Sequence, residues 1–499
     1  MSDQSSWGVG RRPRLRRLLV LGLALLALLV VVGGGSLLQP QQTAAPPTRV
    51  PSVGRTSSIC TVPSATTGSA SGTQGDDQPR ATTSVTAVTT RQDPGREGTL
   101  TGSALDSEES QLEVTQQGHG AQIVSAKASV LLEGIGVMAT ASSGVVFSAA
   151  TSGIDAGLTA APCLPPGTQH WFTGIGTGDA DRTELILSNP DDAQAEVDLR
   201  YYGRLGRVVV AGGQGIVVEA HASRTVSLSG VTATDGPFSV EIQASEGRVS
   251  AVGRRARTDN LKPAGVDWQL PATGPATAVV VPSIPEDEGT RELVVANPGT
   301  DRATVQVQIL GLQGPLAPAG AETLEVAPES TASVDLAPGL LGEAGAVKLT
   351  SDQPVTASVV STSKRAAATP DFAVQSAAPP LVRTGVSALA TTNAGSTELV
   401  LSNSADTDTQ VSFEVFNLDG VSLRTDDVLI AANSTATRRI TSQAPSYLAV
   451  KVPDGSSVVG GLVLTQRDGG AAGLATIPLT SPDLASRAPS TVPDPSVGR

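Results

Sequence analysis

The chain has 499 residues, a formal net charge of −13 and only 2% aromatic residues. This length predicts several domains, at the usual ~100–200 residues each. The negative charge argues against nucleic acid as a partner, because binding to phosphate depends mainly on Lys and Arg. The scarcity of aromatic residues predicts cores of Val, Leu, Ile and Ala, with few rings available to stack on a ligand.

The N-terminus predicts a membrane or export signal. Residues 11–17 are rich in arginine, and residues 18–38 are predominantly apolar, which is long enough for a helix to cross a bilayer. Two interpretations are open, a transmembrane signal anchor with residues 1–17 in the cytoplasm or a signal peptide that is cleaved. Either one predicts a cell-membrane or secreted protein with most of its chain outside the cytoplasm. Residues 39–57, rich in Gln, Pro and Thr, are predicted to be a linker.

A short apolar motif recurs along the chain. It begins Glu-Leu and reaches Asn five residues later, and its Leu falls at Leu185, Leu293 and Leu399. The spacings are 293 − 185 = 108 and 399 − 293 = 106 residues. Such an interval indicates one structural unit copied along the chain. The alternative, a solenoid or propeller, would repeat at roughly 20–50 residues.

Each copy has the pattern of an antiparallel β-sheet domain. The motif is an apolar run that ends at Asn, a residue that forms turns. Beyond the turn, apolar residues alternate with polar ones, as at Val197 and Leu199, which predicts a strand with one buried face. We therefore predict a β-hairpin across each Asn turn. With roughly seven short strands per copy, the fold is predicted to be all-β, consisting of tandem immunoglobulin-like antiparallel β-sandwiches.

The predicted boundaries follow from these copies and from Pro-containing junctions. They are residues 58–162 for a diverged β-sandwich repeat, 163–270, 271–380 and 381–480 for three further repeats, and 481–499 for a disordered tail. For the first repeat, a disordered stalk with one hairpin is the alternative. Because the junctions are short, neighbouring sandwiches should touch, forming a semi-rigid rod or a curved array.

Cys60 and Cys163 are the two cysteines of the chain, and they bracket the first repeat. In an exported protein such a pair predicts a disulfide. Two free thiols are the alternative.

No catalytic, cofactor or metal site is predicted. His119, His170 and His221 fall in different repeats without ligand spacing. Acidic residues around Asp181 and Glu184 could hold Ca²⁺, with a solvated acidic rim as the alternative. We therefore predict a protein that is not an enzyme.

Few aromatic residues could support sugar binding. The candidates are Trp171, Tyr201, Tyr202 and Trp268. Each could also belong to the core or to an interface, and an exposed coplanar pair would favour a sugar site.

Three features together resemble a known family. They are the basic-apolar N-terminus, the repeated motif, and Trp171-Phe172 after Cys163-Leu164-Pro165. On these, residues 58–480 resemble an uncharacterised family of exported, singly membrane-anchored proteins of high-GC Gram-positive bacteria. The resemblance implies a companion of envelope-polymer assembly, encoded near a membrane glycosyltransferase.

Two functions follow as expectations. The first is a non-catalytic cell-envelope protein that projects its modules outside the membrane to contact an envelope protein or cell-wall polysaccharide. The alternative is a carbohydrate-binding accessory to an envelope glycosyltransferase system.

Overall fold

The structure is a computed structural model. It describes residues 53–62, 82–92, 95–150, 156–231, 236–260, 262–363, 370–390, 395–442, 444–466 and 473–482. The predicted transmembrane segment 18–38 and nearly all of the predicted tail lie outside these ranges. Within them, no helix combines the length and apolarity that a membrane crossing requires.

The strands fall into four groups, which we call modules 1 to 4. Module 1 contains β1 (Arg55–Cys60), β2 (Thr82–Thr89), β3 (Gly98–Ala104), β4 (Ser110–Val114), β5 (Gly120–Val124), β6 (Val130–Gly136), β7 (Ser142–Ala150) and β8 (Gly157–Pro162). Module 2 contains β9 (Gln169–Thr173), β10 (Asp181–Asn189), β11 (Ala195–Gly203), β12 (Gly206–Val208), β13 (Ile216–Val218), β14 (Ala222–Ser227), β15 (Ser239–Glu246), β16 (Ser250–Asp259) and β17 (Lys262–Gln269).

The second half of the chain repeats this organisation. Module 3 contains β18 (Ala276–Ile284), β19 (Arg291–Asn297), β20 (Ala303–Gly311), β21 (Gly314–Leu316), β22 (Thr323–Val326), β23 (Ser330–Asp335), β24 (Gly345–Thr362) and β25 (Phe372–Ser376). Module 4 contains β26 (Thr384–Leu389), β27 (Gly395–Asn403), β28 (Thr409–Asn417), β29 (Ser422–Ile430), β30 (Ser434–Ile440), β31 (Ser446–Lys451), β32 (Val458–Gln466) and β33 (Gly473–Pro478). Two helical turns, Val137–Thr140 and Ala337–Leu340, complete the described elements.

The modules share one strand order. Module 1 has the sheets β1-β6-β3-β4 and β5-β2-β7-β8, and module 4 has β26-β31-β28-β29 and β30-β27-β32-β33. Position by position these orders are the same. Module 2 has the equivalent sheets β9-β15-β11-β12 and β14-β10-β16-β17, and in module 3 the long β24 passes through both sheets and joins them. The all-β, antiparallel and sandwich-like fold is therefore confirmed.

The turn after each motif crosses between sheets. β10 pairs with β14 and β16, whereas β11 pairs with β12, β13 and β15, so the predicted β-hairpin is wrong. Asn189 is buried at this turn, and its Nδ2 donates to the carbonyls of Ala193 and Val218 at 2.7 and 3.1 Å. Asn297 and Asn403 make equivalent bonds. Alternation of apolar residues along a strand indicates which face of the strand is buried, but not which strand it pairs with. A hairpin within one sheet and a crossover to the other sheet would bury the same residues.

Each motif strand is central in its sheet and supplies the core. Leu185, Leu293 and Leu399 are fully buried between the two sheets of their modules. Burying one such side chain contributes about 1.5–3 kcal/mol. The buried cluster of module 3 contains no aromatic residue, in line with the aliphatic cores that the composition predicts.

Module 4, the last along the chain, contacts module 1, the first. The last strands of the modules contact one another in a closed cycle, β8 with β17, β17 with β25, β25 with β33, and β33 with β8. Leu158 and Ala160 of β8 share one buried cluster with Ala475 and Ile477 of β33. A rod in which only successive modules touch is therefore wrong. All six residues of β8 are buried, so this strand is covered by other modules as well as by its own.

A buried carboxylate stands where these last strands meet. Asp371 Oδ2 accepts the N–H of Leu474 at 2.8 Å, and Oδ1 accepts that of Phe372 at 2.9 Å. The amides of Leu158 and Val266 also hydrogen-bond to this carboxylate. Asp371 is thereby bonded to the last strand of every module.

Three glycines are equivalent to Asp371, and one of them leaves room for its carboxylate. The equivalent residues in the other last strands are Gly157, Gly265 and Gly473. A Cβ on Gly265 would overlap Asp371 Oδ1, and Gly265 also has φ of +107°, where a side chain is strained. One side chain can therefore occupy the centre of the cycle.

Candidate functional site

Cys60 and Cys163 form a disulfide, as the sequence predicted. Cys60 ends β1 and Cys163 directly follows β8, so the bond links the first strand of module 1 to the connection to module 2. Beside it, Ile59 and Leu164 exchange backbone hydrogen bonds of 2.8 and 2.9 Å. These bonds fix one side of the junction between modules 1 and 2.

A groove with a volume of about 1100 Å³ lies at this junction. Cys163 and four prolines contribute to its wall, and most of the remaining uncharged lining carries hydroxyl groups. Those hydroxyl-bearing residues are Thr56, Ser57, Ser58, Thr101, Ser103, Ser107, Ser110, Ser142, Ser143, Thr480 and Ser481. β1 contributes Thr56, Ser57 and Ser58 to this set, and β3 contributes Thr101 and Ser103.

The groove also carries charge. Five carboxylates against two guanidinium groups leave a formal net charge of −3, not counting His221. The carboxylates and guanidinium groups are those of Asp106, Glu108, Glu133, Asp191, Asp192, Arg55 and Arg248.

Ion pairs hold several of these groups in place. Arg248 donates hydrogen bonds from Nε and Nη2 to the two carboxylate oxygens of Asp191, both at 2.8 Å. This hydrogen bonding lowers the pKa of Asp191. Arg55 pairs with Glu133 on the module 1 side. His221 Nε2 lies 2.8 Å from Asp192 Oδ1. The groove can therefore donate and accept hydrogen bonds along its length, and its charge favours a neutral or cationic ligand.

The histidines do not converge. His170 is buried with Nε2 2.8 Å from the carbonyl of Val249, and burial lowers its pKa. His221 faces the groove, while the carbonyl of His119 accepts the N–H of Thr89 within module 1. In the part of the chain that the structure describes, no group of three or more His, Cys, Asp or Glu could hold a metal ion.

Two buried carboxyl groups lie close to the centre of the cycle. Asp267 Oδ2 accepts the N–H of Val374 at 2.8 Å, and burial raises the pKa of Asp267 well above its usual range. Burial likewise raises the pKa of Asp371, to about 8. Glycosidases need a carboxyl pair open to a sugar in a cleft. Both of these groups are 1% exposed and bind backbone amides, so they serve the contact between modules.

Arginines occupy the acidic cluster at the start of module 2. Asp181 Oδ2 lies 2.6 Å from Nη2 of Arg255 and 2.9 Å from Nε of Arg257. Burial opposes ionisation of Asp181, but the two guanidinium charges outweigh it and hold the pKa of this carboxyl below its usual range. The Arg257 guanidinium also lies 4.4 Å from the ring centroid of Phe372. These contacts use the carboxylate that the calcium alternative required.

The candidate aromatic residues are inside the protein. Trp171, Tyr201, Tyr202 and Trp268 are at most 5% exposed. Trp171 and Tyr202 pack on each other at 5.4 Å with a 34° angle between ring planes. The exposed coplanar pair that would favour a sugar site is not formed by these residues.

The groove was not among the sites predicted from the sequence. Its residues come from distant parts of modules 1 and 2 and from the end of module 4, so their proximity depends on closure of the cycle. One residue of the groove could be distinguished in the sequence. Asp191 is charged, whereas the equivalent residues after the other two motifs are Gly299 and Ala405.

Comparison with known proteins gives a family and little else. The model of a family of unknown function, DUF5719, matches residues 117–441. No curated protein matches the chain. Among solved structures, the chain is similar to the one titled "Crystal Structure of Thermotoga maritima 1070", at 14% identity and a TM-score of 0.18, over 21% of this chain and 96% of that one. A likeness of that size carries no argument about fold or function.

Proposed function

Because this chain belongs to DUF5719, a family of unknown function, we propose its role from its own geometry. It is a non-catalytic cell-envelope protein of the exported, singly anchored kind found in high-GC Gram-positive bacteria. Residues 18–38 hold it in the membrane, and immunoglobulin-like modules lie outside. The groove between modules 1 and 2 binds a polar component of the envelope, a protein or a wall polymer.

The observation that carries this proposal is the lining of the groove. Hydroxyls, carboxylates and guanidinium groups line it, and several are fixed by ion pairs before any ligand arrives. Such pre-organisation reduces the entropy that binding costs. The disulfide supports export, because disulfides persist in oxidising compartments.

The alternative of a carbohydrate-binding accessory to an envelope glycosyltransferase system rests on the same lining. Neutral sugars hydrogen-bond well to carboxylates and hydroxyls. Burial of Trp171 and Trp268 removes the stacking surface that sugar-binding proteins commonly use.

A pull-down of the full chain from envelope extracts, analysed for both protein and glycan, tests the proposal. Ser107→Trp places an indole in the groove, and Thr323→Trp places one on an exposed strand of module 3 as a matched control. We expect Ser107→Trp to weaken retention by at least about tenfold, or ~1.4 kcal/mol, with Thr323→Trp unchanged. Equal retention by both variants would refute the role of the groove.

A further inference from the structure

Three of the four junctions between modules follow one rule. Near the end of the third strand of one module along the chain (β11, β20 or β28), a backbone carbonyl accepts a hydrogen bond from the edge strand of the next module. The carbonyl of Tyr202 accepts a hydrogen bond from Thr331 Oγ1 at 2.9 Å, and the carbonyl of Leu310 accepts one from Thr435 Oγ1 at 2.6 Å. Thr331 and Thr435 are the second residues of β23 and β30 and are buried.

The junction from module 4 back to module 1 obeys the same rule. Here the N–H of Gly120 donates to the carbonyl of Leu418 at 2.8 Å. Tyr447 Oη donates to the carbonyl of Gly118 at 2.7 Å. In these junctions, polypeptide from one module covers the beginning of the edge strand of the next.

The junction from module 1 to module 2 departs from the rule. The equivalent hydroxyl is that of Ser223, the second residue of β14, which is exposed and bonds to Ser188 at 2.8 Å. The equivalent tip of module 1 is the end of its third strand, β3, where Leu105 packs on Ile59 and Leu131 of the same module. Among the described residues, no hydrogen bond joins that tip to β14. The groove extends from Leu105 to His221, the residue that directly precedes β14.

We propose that this open place binds a polypeptide segment of a partner protein. The segment presents a backbone carbonyl to Ser223 and a Lys or Arg side chain to the acidic groove. This inference rests on the proposed function and names the class of partner for the same site.

The charge of the groove and one closed junction support the basic side chain. At module 4, Lys348 Nζ donates to the carbonyl of Ser404 at 2.8 Å and to Asn433 Oδ1 at 3.0 Å. The equivalent residues of module 2 are Pro190 and His221, and both line the groove. The net charge of −3 attracts a cation to this position. A polysaccharide of unmodified neutral sugars supplies neither an amide carbonyl nor an amine.

Site-specific photo-crosslinking of the full chain, in the cells that produce it, tests the inference. A photoreactive residue replaces Ser223, and in a parallel sample it replaces Thr435 at the closed junction. We expect the Ser223 position to yield a polypeptide adduct whose crosslinked peptide contains Lys or Arg. The Thr435 position should yield only crosslinks within the chain, near Leu310.

Charge reversal supplies the second readout. Asp192→Lys is expected to reduce the Ser223 adduct about tenfold, while Glu325→Lys, on an exposed strand of module 3, leaves it unchanged. An unchanged thermal midpoint shows that both variants remain folded.

Each other outcome overturns the inference. A glycan adduct would remove the polypeptide partner and leave the proposed function standing. An adduct to residues 483–499 of the same chain would show that the chain fills its own groove. No adduct, with envelope binding still sensitive to Ser107→Trp, refutes the partner alone. No adduct and no envelope binding refutes both proposals.

Discussion

Replacing Asp371 with Ala tests whether one carboxylate joins the modules. The substitution removes both oxygens and leaves the surrounding amides without their acceptor. The amide nitrogens of Leu474 and Phe372 lie 2.8 Å from Oδ2 and 2.9 Å from Oδ1 of Asp371. Since Asp371 is 1% exposed, water cannot reach these amides without movement of the last strands.

The expected loss of stability follows from the bonds to Leu474 and Phe372. An unsatisfied buried donor costs about 1–3 kcal/mol, so two of them cost about 2–6 kcal/mol. That is a large part of the roughly 5–15 kcal/mol that stabilises a typical protein. The amides of Leu158 and Val266, which also bond to Asp371, would raise the loss further.

The assay is equilibrium unfolding in urea at pH 5, below the raised pKa of this carboxyl. Asp198→Ala is the matched control, because Asp198 Oδ1 accepts the N–H of Gly215 at 2.9 Å on the surface. We expect a loss of less than about 1 kcal/mol there, since water replaces an exposed acceptor. If Asp371→Ala costs no more than Asp198→Ala, the carboxylate does not join the modules.

The remaining predictions concern pH, redox state and the junctions. Burial raises the pKa of Asp371 to about 8 and that of Asp267 well above its usual range. The folded state therefore keeps protons that the unfolded state releases above about pH 4, and the free energy of unfolding should fall as pH rises from about 4 to about 8, with each group contributing up to ~1.4 kcal/mol per unit. Asp371→Asn should make this slope shallower in urea titrations, whereas an unchanged slope would assign it to Asp267. Substituting both Cys60 and Cys163 with Ser should lower the free energy of unfolding by about 4–5 kcal/mol on the chain-entropy model, because the bond closes a loop with a sequence separation of 103; a loss below about 1 kcal/mol would contradict that model here. Thr435→Val should lower the free energy of unfolding by about 1–2 kcal/mol, because it leaves the Leu310 carbonyl without its donor. Ser223→Ala should lower it by less than about 0.5 kcal/mol. Equal losses would show that the first junction is closed too.

Much of the local structure was accessible from the repeated motif. Its period separated tandem modules from a solenoid, and its apolar face identified Leu185 and its equivalents as core. The motif Asn was correctly assigned to a turn, yet the partner of its amide, Val218 for Asn189, lies in the opposite sheet. Pairing of that kind depends on residues far apart in sequence, which is why the hairpin prediction failed.

The all-β class, the aliphatic core and the cysteine pair could be predicted from the sequence, because they follow from composition and from patterns within one module. Three features became visible only in the three-dimensional fold: module 4 meets module 1, Asp371 bonds to the last strand of every module, and a groove remains at the first junction. Those features arise from angles between modules. Several weak contacts between modules determine these angles together, so no pattern of residues within one module predicts them.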